Sequence, residues 1–438
     1  MNQLEQCAAV AAFLNRVCRH VRARELHADI REELISHVAE RMELLLEEGM
    51  PEEEAAAEAV RQMGDPDAIG RNLHQAHKPA VEWKMFVIIA AMALLGIFGV
   101  FAAQQSGMYP KFGTRLVENK VLFTLMGMAF LMVFYFIDYR KIQKHSAVLF
   151  YGMLLLMLLT LFVGIDLNGR KVFLAFGPFG VNIMAVSLPI LVLGLAGMKP
   201  AKDWRGAEHL VQLVGRGALP VVLFSLGSSW FYGLIYLAAF FLLTWKTKKS
   251  GAQFLLLALP LLSLYIFVLA QASQLYHRLH AFLYPAGEGS HQLLQTKAAI
   301  LSAGWFGHGF AARLDTLPYA YADSLFPYLI YCFGWGFGIL IAGLAFWFMV
   351  RVWKMRDRIH DEYARRIVVG FMSLFAIRMF WPILMSFGIV PIVGEVLPFI
   401  GYSNMMQVFD FAAAGLLLSI FRRKNMIPRE MGEALKRH

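Results

Sequence analysis

The sequence predicts an all-α, polytopic membrane protein with about ten transmembrane helices and a small soluble helical bundle at its N-terminus. Three observations predict this class. Of the 438 residues, 58% are hydrophobic and 16% are charged, whereas soluble domains usually carry about 25% charged residues. Apolar stretches of the roughly 20 residues that cross a bilayer recur after residue 84. Short basic loops separate them, so we assign the net charge of +10 to the positive-inside pattern and exclude nucleic-acid binding.

Residues 1–80 differ in kind from the rest of the chain. Apolar residues recur at helical spacing in two runs, over residues 4–21 and 30–45. A third helix is predicted from Pro51 to Gly64, with acidic residues in its first turn. A fourth is predicted to begin at Asp65, which can cap it. These signals indicate a bundle of three or four helices that folds outside the membrane.

The membrane domain is predicted over residues 81–425, followed by a basic tail at 426–438. Both termini are expected in the cytoplasm, because one set of loops, including residues 351–366, is rich in Lys and Arg. The fifth helix is interrupted by Arg216, Gly217 and Pro220. The ten helices are expected near residues 85–103, 121–137, 146–164, 181–198, 211–224, 229–245, 252–273, 325–350, 367–390 and 405–421.

The connection over residues 274–324, here called the outer loop, is about 50 residues long where most loops are short, and loops of that length are usually functional or disordered. Its aromatic residues, which include Trp305 and Phe306, favour a packed loop over a disordered one.

Short motifs follow one another in the outer loop and after the ninth helix. They are His277–Leu279, Phe282–Pro285, His291–Lys297, Ala299–Gly309, Leu317–Asp323 and Gly388–Ser403. These motifs resemble those of the SEDS family, the FtsW, RodA and SpoVE proteins, and the resemblance extends over residues 85–425. It implies a protein of the bacterial cytoplasmic membrane that polymerises peptidoglycan strands from lipid II beside a class B penicillin-binding protein.

Asp323 falls where the family keeps its essential aspartate, so the resemblance implies that it is the catalytic base. A carboxylate at the outer end of a membrane helix can take the proton from the acceptor sugar's 4-hydroxyl as that oxygen attacks the donor's anomeric carbon. Undecaprenyl pyrophosphate then leaves, and cations such as Arg278 and Lys297 can stabilise its charge. The alternative is that Asp323 merely caps the eighth helix. Further substrate-binding candidates are Arg170, Gln292 and Gln295.

Departures from the family pattern keep two other functions open. Where the family carries a Glu and a Lys at the opening of the fourth helix, this chain has Ala185 and Leu188. The polar neighbours of the essential aspartate are replaced by Tyr319, Tyr321 and Ala322. One alternative is a catalytically silent homologue that binds lipid II or a partner and regulates. The other is a transporter, or flippase, of a lipid-linked precursor.

Arg378 and Asp410 are charged residues within the ninth and tenth helices, at positions where the family usually has Gln and Asn. A lone charge inside a bilayer is costly, so we predict a direct or single-water-bridged pair between them. The pair would either tie the two helices together or hold Arg378 toward the substrate.

The N-terminal region carries a further set of motif residues. They are Ile30, Glu33, Leu34, His37, Gly49, Ala59, Met63, Gly64, Asp65, Pro66, Ile69, Gly70 and Leu73. They resemble the HAAS-type permease prefix domain, which implies an interaction module for a cytoplasmic regulator.

The histidines of this region and the three scattered cysteines lack metal-ligand spacing, so no metal site is predicted from them. A divalent cation such as Mg²⁺ at the pyrophosphate is the one cofactor candidate.

Overall fold

A computed structural model describes most of the chain, and it divides the chain into two compact units. One unit comprises residues 1–81 with 421–438, and the other, here called the membrane unit, comprises residues 82–420. The described residues are 7–22, 27–76, 78, 80–108, 115–167, 170–176, 179–284, 290–359 and 361–424. The predicted tail, residues 426–438, lies outside them.

The N-terminal unit is a four-helix bundle of α1 (Ala8–His20), α2 (His27–Glu47), α3 (Glu52–Met63) and α4 (Pro66–Ala76). Apolar side chains from α1, α2 and α3 form one buried core. The Asp65 carboxylate accepts hydrogen bonds from the backbone N–H groups of Asp67 and Ala68 at 3.0 and 3.1 Å, which satisfies the first turn of α4.

The helices of the membrane unit follow the predicted apolar segments closely. Its elements are α5 (Trp83–Gln105), α6 (Leu116–Phe136), α7 (Tyr139–Gln143), α8 (Ser146–Val163), β1 (Ile165–Leu167), β2 (Arg170–Phe176), β3 (Phe179–Asn182), α9 (Ile183–Gly197), α10 (Glu208–Gln212), α11 (Leu219–Leu226), α12 (Trp230–Thr247), α13 (Gly251–Gln271), α14 (Ser273–Leu283), α15 (His291–Ser302), α16 (Leu325–Phe333), α17 (Trp335–Arg356), α18 (Glu362–Ser386) and α19 (Met405–Arg422).

Within the described residues, nine helical segments are long and apolar enough to cross a membrane, and α9 is a tenth, shorter apolar helix. The segment Glu208–Leu226 is one of the nine, with a π-helical turn over Leu213–Ala218 joining α10 to α11. Arg216, expected to interrupt this segment, lies in that turn and donates to the Lys199 carbonyl at 2.8 Å. The chain is thus a multi-pass, all-α membrane protein.

The predicted eighth helix, 325–350, is wrong as a continuous element, because Gly334 separates α16 from α17. Gly334 has a φ of +83°, which favours glycine. A Cβ on Gly334 would collide with the backbone at Trp305, and one on Gly307 would collide with the backbone at Cys332. The outer loop therefore lies directly against the helix break, where the Gly309 N–H donates to the Cys332 carbonyl at 2.9 Å.

Three further features differ from the sequence prediction. Between α8 and α9 the three strands form a small antiparallel sheet in the order β1-β2-β3, with Phe173 opposite Asn182. The outer loop contains two helices, α14 and α15, which lie before and after residues 285–289. Phe306 is 93% exposed and Trp305 is also exposed, so these two aromatic residues do not pack as expected.

Candidate functional site

A cavity of about 910 Å³ opens where the ends of α9, α12, α14 and α15 meet the segments before α16 and after α18. We call it the Asp323 cavity. Its volume lies within the range of small-molecule sites. Its charged lining residues among those described are Arg278, Asp323, Arg378 and Glu395, and Gln292 adds an amide.

Asp323 lies in the segment that leads into α16, whose N-cap position is Ser324. The Gln292 side-chain amide, on α15, donates to Asp323 Oδ2 at 3.2 Å. The other oxygen, Oδ1, is buried and has no hydrogen-bond partner within the described part of the chain. Burial raises the pKa of Asp323, against the opposing effects of the Gln292 hydrogen bond, of the backbone N–H groups of Asp323 and Ser324, and of the Arg278 charge. One side-chain donor thus reaches Oδ2, while Oδ1 is buried without a hydrogen-bond partner among the described residues.

The structure places some of the other candidate substrate-binding residues at the Asp323 cavity and others away from it. Arg278, on α14, lines the cavity and donates to the Ile392 carbonyl at 2.8 Å. Gln295 and Lys297 are absent from the described lining residues, and the end of the Lys297 side chain lies against Gly388 instead. Arg170 begins β2, but its side chain lies outside the described residues.

Arg378 on α18 lies between two carboxylates. Its Nη1 donates to Asp410 Oδ1 and its Nη2 to Asp410 Oδ2 at 3.3 Å, while Nε donates to Glu395 Oε1 at 2.7 Å. All three residues are at most 4% exposed. Arg378 and Glu395 line the cavity, so the cluster reaches its wall.

Sequence reasoning missed Glu395 and Lys120. Glu395 is the one acidic residue in the apolar stretch 388–403, and that contrast was the available signal. The Lys120 Nζ, 1% exposed on α6, donates to the carbonyls of Phe399 and Gly401 at 3.1 and 2.7 Å and to Gln407 Oε1 at 2.8 Å. It thereby fixes the segment between Glu395 and α19. The predicted helix began one residue too late to include it.

A second cavity, of about 730 Å³, adjoins the first at the β-sheet and the start of α12. Asn182, Tyr232, Arg278 and Glu395 line both. Within the described residues, no group of three or more His, Cys, Asp or Glu could hold a metal ion. A Mg²⁺ ion here would depend on phosphate oxygens for much of its coordination.

The fold and the site together define a multi-pass membrane protein with a cavity of small-molecule size, lined by charged and apolar residues, at the ends of its helices. The family model described as "Cell cycle protein", for FtsW, RodA and SpoVE, matches residues 82–426. The chain therefore belongs to the FtsW/RodA/SpoVE family of cell cycle proteins.

Relatives with this membrane domain are similar in sequence over most of the chain. A Trichlorobacter lovleyi protein named probable peptidoglycan glycosyltransferase FtsW is 23% identical over 374 residues, covering 78% of this chain and 94% of the relative. The Escherichia coli K12 protein named peptidoglycan glycosyltransferase MrdB is 28% identical over 213 residues, covering 47% of this chain and 57% of its own length.

Solved structures share the fold. The Thermus thermophilus rod shape determining protein RodA aligns with a TM-score of 0.60 at 17% identity, covering 79% of this chain and 98% of RodA. A chain from a study of a peptidoglycan synthase complex that coordinates polymerization and crosslinking aligns with a TM-score of 0.62 at 19% identity, with the same coverage.

Proposed function

We propose that this protein is a peptidoglycan glycosyltransferase that acts on lipid II during cell-wall synthesis. The observation that carries the proposal is Asp323, a carboxylate in a substrate-sized cavity whose buried Oδ1 lacks a hydrogen-bond partner among the described residues. Buried polar atoms are normally satisfied, and exceptions often mark functional sites. The names of the FtsW and MrdB relatives support the same activity.

In the proposed reaction Asp323 accepts the proton of the acceptor sugar's 4-hydroxyl. That oxygen forms a bond to the donor's anomeric carbon while the bond from this carbon to undecaprenyl pyrophosphate breaks. A base with a raised pKa holds the proton better, which suits general-base catalysis near neutral pH. Arg278 supplies positive charge on the cavity wall for the leaving pyrophosphate. The two adjoining cavities offer room for the donor and the acceptor at once.

The test is polymerisation of purified lipid II by the full-length protein. Asp323→Asn should reduce strand formation about 10²–10⁴-fold, the usual contribution of a general base. Asp315→Asn is the matched control, because Asp315 lies in the same loop, exposed and paired with Arg313 at 2.8 Å. Equal polymerisation by Asp323→Asn and wild type would remove Asp323 as the base, and a wild type that forms no strands would remove the enzymatic assignment.

A catalytically silent, lipid II-binding role is the second candidate. Ala185 lines the Asp323 cavity with a methyl group, and Leu188 is fully buried, so neither supplies the charge that the family pattern has there. The two candidates separate when lipid II binding and strand formation are measured on the same preparation. Binding without strands would favour the silent role.

The bacterial cytoplasmic membrane, with both termini on its cytoplasmic side and the outer loop outside, is the proposed location. The basic loops support this orientation. Because Phe306 is 93% exposed and Arg358 is exposed, Cys placed at either position is accessible to an impermeant reagent. Intact cells should label Phe306→Cys, and labelling of Arg358→Cys alone would invert the orientation.

We also propose a class B penicillin-binding protein as the partner, which the likeness to a synthase-complex chain supports. Co-purification of the two proteins from the native membrane tests it. If the two proteins separate reproducibly under conditions in which detergent does not disrupt the complex, the result would count against this partner.

The HAAS-type role of residues 1–80, as a module that binds a cytoplasmic regulator, stays a prediction. An isolated fragment of these residues with a random-coil circular dichroism spectrum would contradict it.

A further inference from the structure

A second charged cavity lies away from the Asp323 cavity, and the proposed reaction does not use it. It has a volume of about 530 Å³ and is formed by the last turns of α12, the connection from α17 to α18, and the first turns of α18. We call it the basic cavity. Its lining holds four cations, Lys246, Arg356, Arg365 and Arg366, against two carboxylates, Asp357 and Glu362.

The helix ends at this cavity already match their dipoles. Lys246 and Arg356 lie in the last turns of α12 and α17, where positive charge complements the dipole, and the Asp361 carboxylate caps the first turn of α18. Arg365 and Arg366 follow in the opening turns of α18, where a cation gains nothing from the dipole. The lining thus holds two more cations than carboxylates, and a bound anion would offset this excess.

The guanidinium of Arg366 has a hydrogen-bond donor without a partner among the described residues. Its Nη1 donates to the Met198 carbonyl, just past the end of α9, at 3.0 Å. Its Nε is buried and has no partner within the described ranges of the chain. A guanidinium with a spare donor in a cationic cavity is suited to phosphate oxygens, which it can bind through two N–H groups.

Apolar residues complete the lining and distinguish a lipid from a free anion. Leu243, Ile359 and Val369 are buried residues that line the same cavity. A cavity with cations beside apolar side chains, between helix ends at the basic face of a membrane domain, matches the way anionic lipid headgroups are bound. The geometry points to the basic cavity as a binding site for the phosphodiester headgroup of an anionic phospholipid.

The test uses full-length protein in a neutral detergent, with binding followed by ligand-induced thermal stabilisation. The probes are dioctanoyl phosphatidylglycerol, dioctanoyl phosphatidylcholine and sodium phosphate. Phosphatidylglycerol should bind at least tenfold more tightly than phosphatidylcholine, and added salt should weaken it. The readout does not involve lipid II, so its result is independent of the proposed glycosyltransferase activity.

Variants locate the binding. Lys246→Gln combined with Arg365→Gln should weaken phosphatidylglycerol binding about tenfold. Arg358→Gln is the matched control, because Arg358 is an exposed cation of the same connection that lies outside the described lining residues, and its effect should stay within about twofold. If the double variant fails to fold, Lys246→Gln alone, on an exposed side chain, should still weaken binding measurably.

Three results would overturn the proposal. Equal binding of phosphatidylcholine would show that the headgroup charge is not recognised. An equal loss in Arg358→Gln would show a diffuse basic surface and no site. Stabilisation by sodium phosphate as strong as that by phosphatidylglycerol would show a free-anion site in place of a lipid site.

Discussion

Two walls of the Asp323 cavity hold charge in different ways. On one wall Asp323 receives a single side-chain hydrogen bond, from Gln292. On the other, Arg378 is bonded to both Asp410 and Glu395, and nearby Lys120 donates to three acceptors. The Asp323 arrangement leaves a carboxylate oxygen available for a reaction, whereas the charges of the Arg378 cluster neutralise one another. A buried charge that is fully paired is typical of a structural role, and an incompletely satisfied one is typical of a functional site.

The largest stability effect is expected from Arg378→Met. The substitution leaves Glu395 and Asp410 buried without their shared cation, and breaking a buried pair in this way costs about 3–5 kcal/mol. Thermal unfolding of the purified protein measures it, with Asp323→Asn as the comparison, which should differ from wild type by less than about 1 kcal/mol at the same pH. If Arg378→Met lowers the free energy of unfolding by less than about 1 kcal/mol, the Arg378 cluster contributes no more to stability than Asp323 does, and the comparison fails.

Charge reversal sharpens the same comparison. The sequence alone predicts that Arg378→Asp with Asp410→Arg recovers the membrane level that each single reversal loses. Glu395 changes this expectation, because the new carboxylate at position 378 would face it in the same buried site. The swap should therefore recover well only when Glu395→Gln is added. Full recovery by the double swap would mean that Glu395 does not belong to the cluster.

A smaller effect is expected from Lys120→Met. The substitution removes the donor from the Phe399 and Gly401 carbonyls, and an unsatisfied buried acceptor costs about 1–3 kcal/mol. Glu118→Gln, an exposed position on the same helix, is the control for thermal unfolding. Matching unfolding temperatures for the two variants would argue that Lys120 does not fix this segment.

The smallest effect is the pH dependence of Asp323. Burial raises its folded-state pKa above the unfolded value of about 3.9, so its stabilising contribution is present below the unfolded pKa and is lost as the pH rises through the folded one. Asp323→Asn should therefore gain stability relative to wild type as the pH rises from about 4 to about 7. The polymerisation rate of wild type should fall on acidification at a pH above about 3.9. A constant difference in unfolding temperature across this range would contradict the raised pKa.

The helices could be predicted because each membrane span needs a long apolar stretch, and these stretches dominate the sequence. The break at Gly334 could not, since glycines are also common inside membrane helices and the collision with Trp305 is a long-range contact. Asp323, Arg278 and Gln292, which the family resemblance names as site candidates, line one cavity. Glu395 was missed because it lies in an irregular segment whose fold depends on Lys120, far earlier in the chain.

The Arg378 cluster also has a consequence for biosynthesis. During translation α18 emerges before α19, so Arg378 enters the translocon while Asp410 is still inside the ribosome or not yet made. An unpaired Arg at a helix centre disfavours insertion by about 2.5–3.5 kcal/mol. We expect α18 to remain at the translocon until α19 arrives and the two to partition into lipid together. Nascent chains that end between the two helices should accordingly insert α18 less completely than chains that extend through α19.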